Sequence, residues 1–160
     1  MLSISSLVST PDGTVKSAEL ASFSKCFIRP TEEFGFLPLF FAASQGHLEV
    51  CRELVAKGAD VNQSNNGRTP WLEACANGHL DIVEFFMGNG QGIEARNKNG
   101  VTGLIAACLE GKANVVQFLL SKGARTDCAT AKGFTAMDKA VAKRHGEIML
   151  ILALHESARN

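Results

Sequence analysis

Glycine recurs in this chain on three ladders that share one period. Gly67, Gly100 and Gly133 are 33 residues apart (100−67 and 133−100), and Gly35 lies 32 before the first of them (67−35). Gly46, Gly78 and Gly111 follow at 32 and 33, as do Gly58, Gly90 and Gly123. Self-similarity at this spacing marks an array of one small supersecondary unit used repeatedly. The array is one elongated domain whose copies bury their apolar faces against their neighbours.

The text between the rungs repeats as well. Pro38-Leu39-Phe40-Phe41-Ala42-Ala43-Ser44-Gln45-Gly46-His47 aligns with Pro70-Trp71-Leu72-Glu73-Ala74-Cys75-Ala76-Asn77-Gly78-His79, and Gly103 to Lys112 keeps the small and apolar positions. These residues resemble the ankyrin repeat, and Gly58-Ala59-Asp60-Val61-Asn62 matches the end of that unit outright. The resemblance implies an all-α solenoid of stacked antiparallel helix pairs joined by long hairpin loops. It divides the chain into repeats at 35–66, 67–99, 100–132 and a divergent, capping fourth at 133–160, after a non-repeating segment 1–34.

Each stretch of the unit has a physical reason. Thr69-Pro70 suits a helix start, because a threonine oxygen accepts an orphan amide and proline is tolerated in the first turn. Ala74, Cys75 and Ala76 are small enough for neighbouring units to approach closely, and Gly78 predicts a left-handed helix end. In the second helix Ile82, Val83, Phe85 and Phe86 fall on an apolar face while Asp81 and Glu84 stay wet. The same reading covers Ala113 to Leu120, with Lys122 suiting the carboxyl end of the helix dipole.

The fourth copy departs from this plan. Arg144 stands at its mid-unit glycine position, and its last helix, Glu147 to Leu154, is apolar almost all round where a terminal repeat should be polar outside. The tail or a partner is expected to cover it. Residues 1–34 read as a cap, with a helix expected from about Thr14 to Pro30, covering the apolar Phe36, Leu39, Phe40 and Phe41. They lack the basic start of a signal peptide.

The family's threonine-proline-leucine-histidine tetrapeptide is nowhere complete, and its histidine is absent from all four copies. Apolar contact is expected to replace the inter-unit hydrogen bonds that this histidine makes in the family.

Composition bounds the function. No run approaches the 18 apolar residues of a membrane span, so neither membrane nor secretion is expected and the chain reads as cytoplasmic, with the nucleus open to it. Met1 and the polar end from Glu156 to Asn160 read as the ends of a complete small protein. Net charge is zero; residues 1–99 hold 11 acids and 8 bases, and 100–160 hold 5 acids and 8 bases. A tilt of −3 against +3 is too weak to predict nucleic acid.

Chemistry finds little purchase. Cys26, Cys51, Cys75, Cys108 and Cys128 have no C-x-x-C spacing and an odd count, which argues against a disulfide framework. Cys75 and Cys108, 33 apart, read as small packing residues. His47, His79, His145 and His155 have no ligand-spaced partners, so no metal or other cofactor is expected. Gly88 to Gly92 follows a helix instead of preceding one and lacks a phosphate cradle's dipole. No nucleophile, base and orienting group fall at related positions, and an enzyme is not expected. Asn62 sits in a formal glycosylation triplet expected to be unused. In the resembling family its context, with Leu54 eight residues before, is that of asparaginyl hydroxylation substrates, so modification and hydrogen bonding both stand open for it.

What the resemblance implies for function is a binding module: hairpin tips and first helices share one concave surface that takes a protein partner. Carried over copy by copy, the contact positions are Phe36, Arg68, Val101 and Phe134 after the turn glycines, Lys98, Asn99 and Lys132 at the tips, and Glu73, Asn77, Leu109, Glu110 and Lys143 on the first helices. Trp71 joins them as an aromatic anchor, although it stands where the family buries a leucine. The competing role is structural, a subunit that self-associates through the apolar last helix; otherwise a monomer is expected.

Overall fold

The computed structural model describes residues 38–64 and 66–160. The 1–34 cap, Phe36 and Asn65 lie outside the described residues.

Among the described residues eight helices run in chain order: α1 Pro38–Gln45, α2 Leu48–Ala56, α3 Pro70–Asn77, α4 Leu80–Gly88, α5 Gly103–Leu109, α6 Ala113–Ser121, α7 Ala136–Ala142 and α8 Gly146–Arg159. They form four antiparallel pairs. The first helices α1, α3, α5 and α7 stack on one another, and the second helices α2, α4, α6 and α8 stack behind them. Among the described residues there is no strand, only an isolated bridge between Ala129 and Thr135. The expected all-α solenoid is what the chain forms.

The first helices start as the sequence predicts. Thr69 Oγ1 accepts the Leu72 amide at 3.1 Å with Pro70 in the first turn. Thr102 repeats the cap at Ile105, and Thr135 forms a full capping box with Asp138. The Thr135 amide and hydroxyl both donate to Asp138, which holds that carboxyl below its ordinary value.

Small residues set the stacking distance. Ala42, Ala74, Ala107 and Ala140, one per unit at the same register, are all fully buried. Cys51, Cys75 and Cys108 are buried beside them, and burial pushes the Cys51 and Cys108 thiols up to about 12. They are packing residues. Ile82, Val83 and Phe86 fill the core with Asp81 and Glu84 in solvent, as periodicity requires.

Hydrogen bonds do tie successive units, contrary to the expectation that apolar contact alone would have to. The His79 Nε2–H donates to the Ser44 carbonyl at 3.0 Å, Asn114 Nδ2 to Gly78 at 3.1 Å, and the His145 Nε2–H to Leu109 at 3.2 Å. These donors sit at the entrance of the second helix and reach back one unit. The mid-unit glycines admit them: a Cβ on Gly46 would lie 2.6 Å from His79 Cε1, and one on Gly111 2.8 Å from His145 Cε1. The histidine lost from the first helix is thus replaced from the second.

Candidate partner-binding face

The connecting loops fold into hairpins that meet at their tips. In the second loop the Asn97 amide donates to Val101 and the Gly100 amide to Asn97; in the third, Thr130 donates to Phe134 and Gly133 to Thr130. Asn97 Oδ1 steadies its hairpin by accepting from Asn99 and Val101 at 2.9 and 3.0 Å. The Ala131 amide then donates to the Asn99 carbonyl at 2.8 Å, joining one tip to the next. A Cβ on Gly100 would lie 2.9 Å from that Ala131 nitrogen, so the approach needs glycine. The Lys98 side chain runs across Gly67 in the same way. The tips therefore form a continuous ridge.

Along this ridge and the adjoining first helices the residues named from sequence are distributed unevenly. Arg68, Asn77, Lys98, Asn99, Glu110, Lys132 and Lys143 are exposed, and Phe134 is 44% exposed. Glu73, Val101 and Leu109 are half-buried. Trp71 is only 1% exposed, packed between α3 and α5 with its ring against Gly103. It is a core residue and is removed from the candidate contacts, because the stacking of the third unit seals it from any partner.

Two interactions tie these candidates to one another in a manner the sequence reading missed. Arg68 Nε donates to Glu73 Oε1 at 2.9 Å, and the same guanidinium lies 4.9 Å from the Phe40 ring centroid of the preceding unit. One unit-and-a-period later, at the corresponding pair of positions, Lys139 Nζ sits 4.3 Å from the Phe134 ring centroid. The i, i+5 spacing of 68/73 and 134/139 was visible once the copies were aligned, but i, i+5 is not a helical neighbour spacing, and the turn that closes it is seen only in the fold.

At the base of the hairpins Glu94 binds the next unit. Its Oε1 accepts the Arg125 amide at 2.8 Å and its Oε2 accepts from Cys128 Sγ at 3.2 Å, while Arg96 Nη2 donates to the same sulfur at 3.0 Å. Burial, then Glu94, raises the Cys128 thiol above its ordinary value, so it is a structural donor and a poor nucleophile. Asn62 is exposed at the corresponding turn of the first loop, its amide donating to Asp60 Oδ1. Among the described residues no three His, Cys, Asp or Glu side chains gather as a metal site would require, and no helix is long and apolar enough to cross a membrane.

The family described as ankyrin repeats (3 copies) matches residues 13–97 and 71–160. Among curated proteins, the one named "Probable E3 ubiquitin-protein ligase XBOS33" of Oryza sativa subsp. japonica is 45% identical over 51 residues, 31% of this chain and 10% of that protein. The "Transient receptor potential cation channel subfamily A member 1 homolog" of Caenorhabditis elegans is 38% identical over 61 residues, 38% of this chain and 5% of that protein. Human "Ankyrin repeat domain-containing protein 17" is 42% identical over 67 residues, 40% of this chain and 3% of that protein. The match thus spans a tenth or less of these relatives' length. With two overlapping family matches that together run from residue 13 to residue 160, and four stacked helix pairs beneath them, the chain belongs to the ankyrin-repeat family.

Proposed function

We propose that this chain is a non-catalytic adaptor or scaffold that holds a partner protein against the ridge of hairpin tips and the fronts of α1, α3, α5 and α7. The observation that carries the reading is a contrast between columns of the repeat. The buried column reads Ala42, Ala74, Ala107, Ala140, one letter throughout, whereas the column after the turn glycine reads Arg68, Val101, Phe134. A fixed core beneath a varied, aligned surface is how repeat stacks build extended binding faces. Exposed arginine and aromatic side chains on that surface are suited to anchor a partner. Ankyrin repeats generally serve protein–protein interaction, and the ligase and channel named among the relatives carry their activities in proteins of which this match is a small part. Buried thiols without disulfides suit the reducing cytoplasm. The test is affinity capture from native lysate with the wild-type chain beside an Arg68→Glu/Phe134→Ala variant of equal fold. A protein lost selectively from the variant supports the reading; identical captures remove it.

A second reading rests on α8. Leu150 and Leu154 are 60% and 61% exposed, and their column in the earlier units holds Arg52, Glu84 and Gln117, then Ala56, Gly88 and Ser121. Pairing of α8 with its own copy would cover them. Sedimentation velocity over a range of concentrations decides it: a coefficient that climbs for the wild type and stays flat for Leu150→Gln/Leu154→Ser supports self-association, and a flat wild type ends it.

A further inference from the structure

Asparagine precedes glycine four times in this chain, at 66–67, 77–78, 89–90 and 99–100. The step is chemically weak, because a glycine amide has no side chain beside it to screen it from the carboxamide before it. Whether it reacts is decided by the peptide that joins the two residues. The glycine nitrogen must lose its proton and turn toward the asparagine Cγ, so hydrogen bonds on that peptide oppose the reaction.

Three of the four peptides are held. Gly78 donates its amide to the Ala74 carbonyl at 3.0 Å, at the end of α3. Gly90 donates to Met87 at 3.4 Å, and the Asn89 carboxamide is itself engaged, its Nδ2 donating to the Phe85 carbonyl at 2.8 Å. The 99–100 peptide is paired at both ends: Gly100 donates to Asn97 at 2.9 Å, and the Asn99 carbonyl accepts from Ala131 at 2.8 Å.

Asn66 and Gly67 stand in the same columns one unit earlier (99−66 and 100−67 are both 33) and lack both bonds. Among the described residues no group accepts from the Gly67 amide and none donates to the Asn66 carbonyl. Asn66 is exposed. Its φ is 51°, outside the basins that a residue with a Cβ favours, so backbone preference does not oppose its leaving this conformation.

We infer that Asn66 is a site of spontaneous deamidation, at which the tip of the first loop converts to isoaspartate and aspartate. Hydroxide removes the Gly67 amide proton, and the nitrogen attacks Asn66 Cγ to close a five-membered succinimide. The Cγ–Nδ2 bond breaks, and Nδ2 takes a proton from water and leaves as ammonia. A second water opens the ring. Addition at Cγ restores the original peptide as aspartate, whereas addition at the Asn66 backbone carbonyl reroutes the chain through Cβ and Cγ as isoaspartate. Each conversion takes the net charge from zero to −1 (0−1) and sets a carboxylate two residues before Arg68. The inference does not depend on the proposed binding face.

The experiment incubates the full chain at physiological temperature in neutral and in mildly alkaline buffer, folded and in urea, and locates aspartate and isoaspartate by peptide mapping with mass spectrometry. In urea all four asparagines are expected to convert at comparable rates, faster at the higher pH. In the folded chain Asn66 is expected to stay near its unfolded rate, while Asn77, Asn89 and Asn99 fall at least about tenfold below theirs, since a bonded amide reacts only through local opening. Isoelectric focusing should show the acidic species growing in the wild type and missing from Asn66→Ser. Protection of Asn66 equal to that of the other three, faster conversion at any of them in the folded chain, or an undiminished acidic species in Asn66→Ser overturns the inference.

Discussion

The second and fourth units are built from the same columns and use them differently. In the second, Gly78 takes the left-handed turn at φ 83°, Arg68 and Glu73 satisfy each other, and α4 shows Glu84 to solvent. In the fourth, Arg144 takes that turn at φ 59°, Phe134 and Lys139 replace the ion pair, and α8 shows Leu150. A unit flanked on both sides is constrained to good local chemistry by its neighbours. In the fourth unit the departures from the repeat at Phe134, Arg144 and Leu150 stand where they meet solvent.

The largest effect expected from breaking this comparison lies in the second unit's core. Trp71 is 1% exposed, and truncation to alanine is expected to cost about 3–5 kcal/mol by denaturant unfolding, monitored by circular dichroism. The indole needs its opposite number: a Cβ on Gly103 would lie 2.9 Å from Trp71 Nε1 and 2.9 Å from Cys75 Sγ. The ring occupies the space that a first-turn side chain at position 103 would fill, and its Nε1 is buried without a partner. Trp71→Leu and Gly103→Ala made together should therefore cost less than the sum of the two alone, by about 0.5–3 kcal/mol in a double-mutant cycle. Additive costs would show that the two positions are not coupled.

This pair also marks the limit of what the sequence reveals. Period and composition make the stack, its helix starts and its alanine column legible, because each depends on spacing within a unit or on one letter repeated. The departures of Trp71 and Gly103 from the family's pattern stand 32 residues apart (103−71) and read as unrelated losses until the stack brings them into contact. The same is true of His79 and His145, whose bonds to Ser44 and Leu109 cross a unit boundary. Of the candidate site, exposure along the tips followed from register, whereas the Arg68–Glu73 and Phe134–Lys139 pairings depended on a turn geometry that periodicity does not encode.

A smaller effect, of opposite sign in the two units, tests the turn column. Gly78→Ala is expected to destabilise by about 1–2 kcal/mol, since an L side chain is strained at φ 83° and its Cβ would meet Lys112 Cδ at 3.0 Å. Arg144→Gly is expected to stabilise by about 1 kcal/mol by relieving the same strain. Thermal and denaturant midpoints of the two variants, moving in opposite directions, check this. A loss of stability in Arg144→Gly would mean that the arginine makes up for its backbone by contacts elsewhere in the fold.

In α8 the two faces of one helix should respond differently, and its exposed face gives the smallest change expected. Ile148 and Leu152 are 1% exposed and pack against the third unit, so Ile148→Ala is expected to cost about 2–5 kcal/mol. Leu150→Gln/Leu154→Ser instead restores the letters of α6, Gln117 and Ser121, at positions already in water, and the folded monomer should change by no more than about 0.5 kcal/mol. Unfolding measured at low and at high protein concentration separates the contributions, because an interface adds stability only as concentration rises. If the double variant is markedly destabilised even when dilute, Leu150 and Leu154 are held by the chain itself. Their exposure would then not be a free surface, and the self-association reading of α8 would lose its ground.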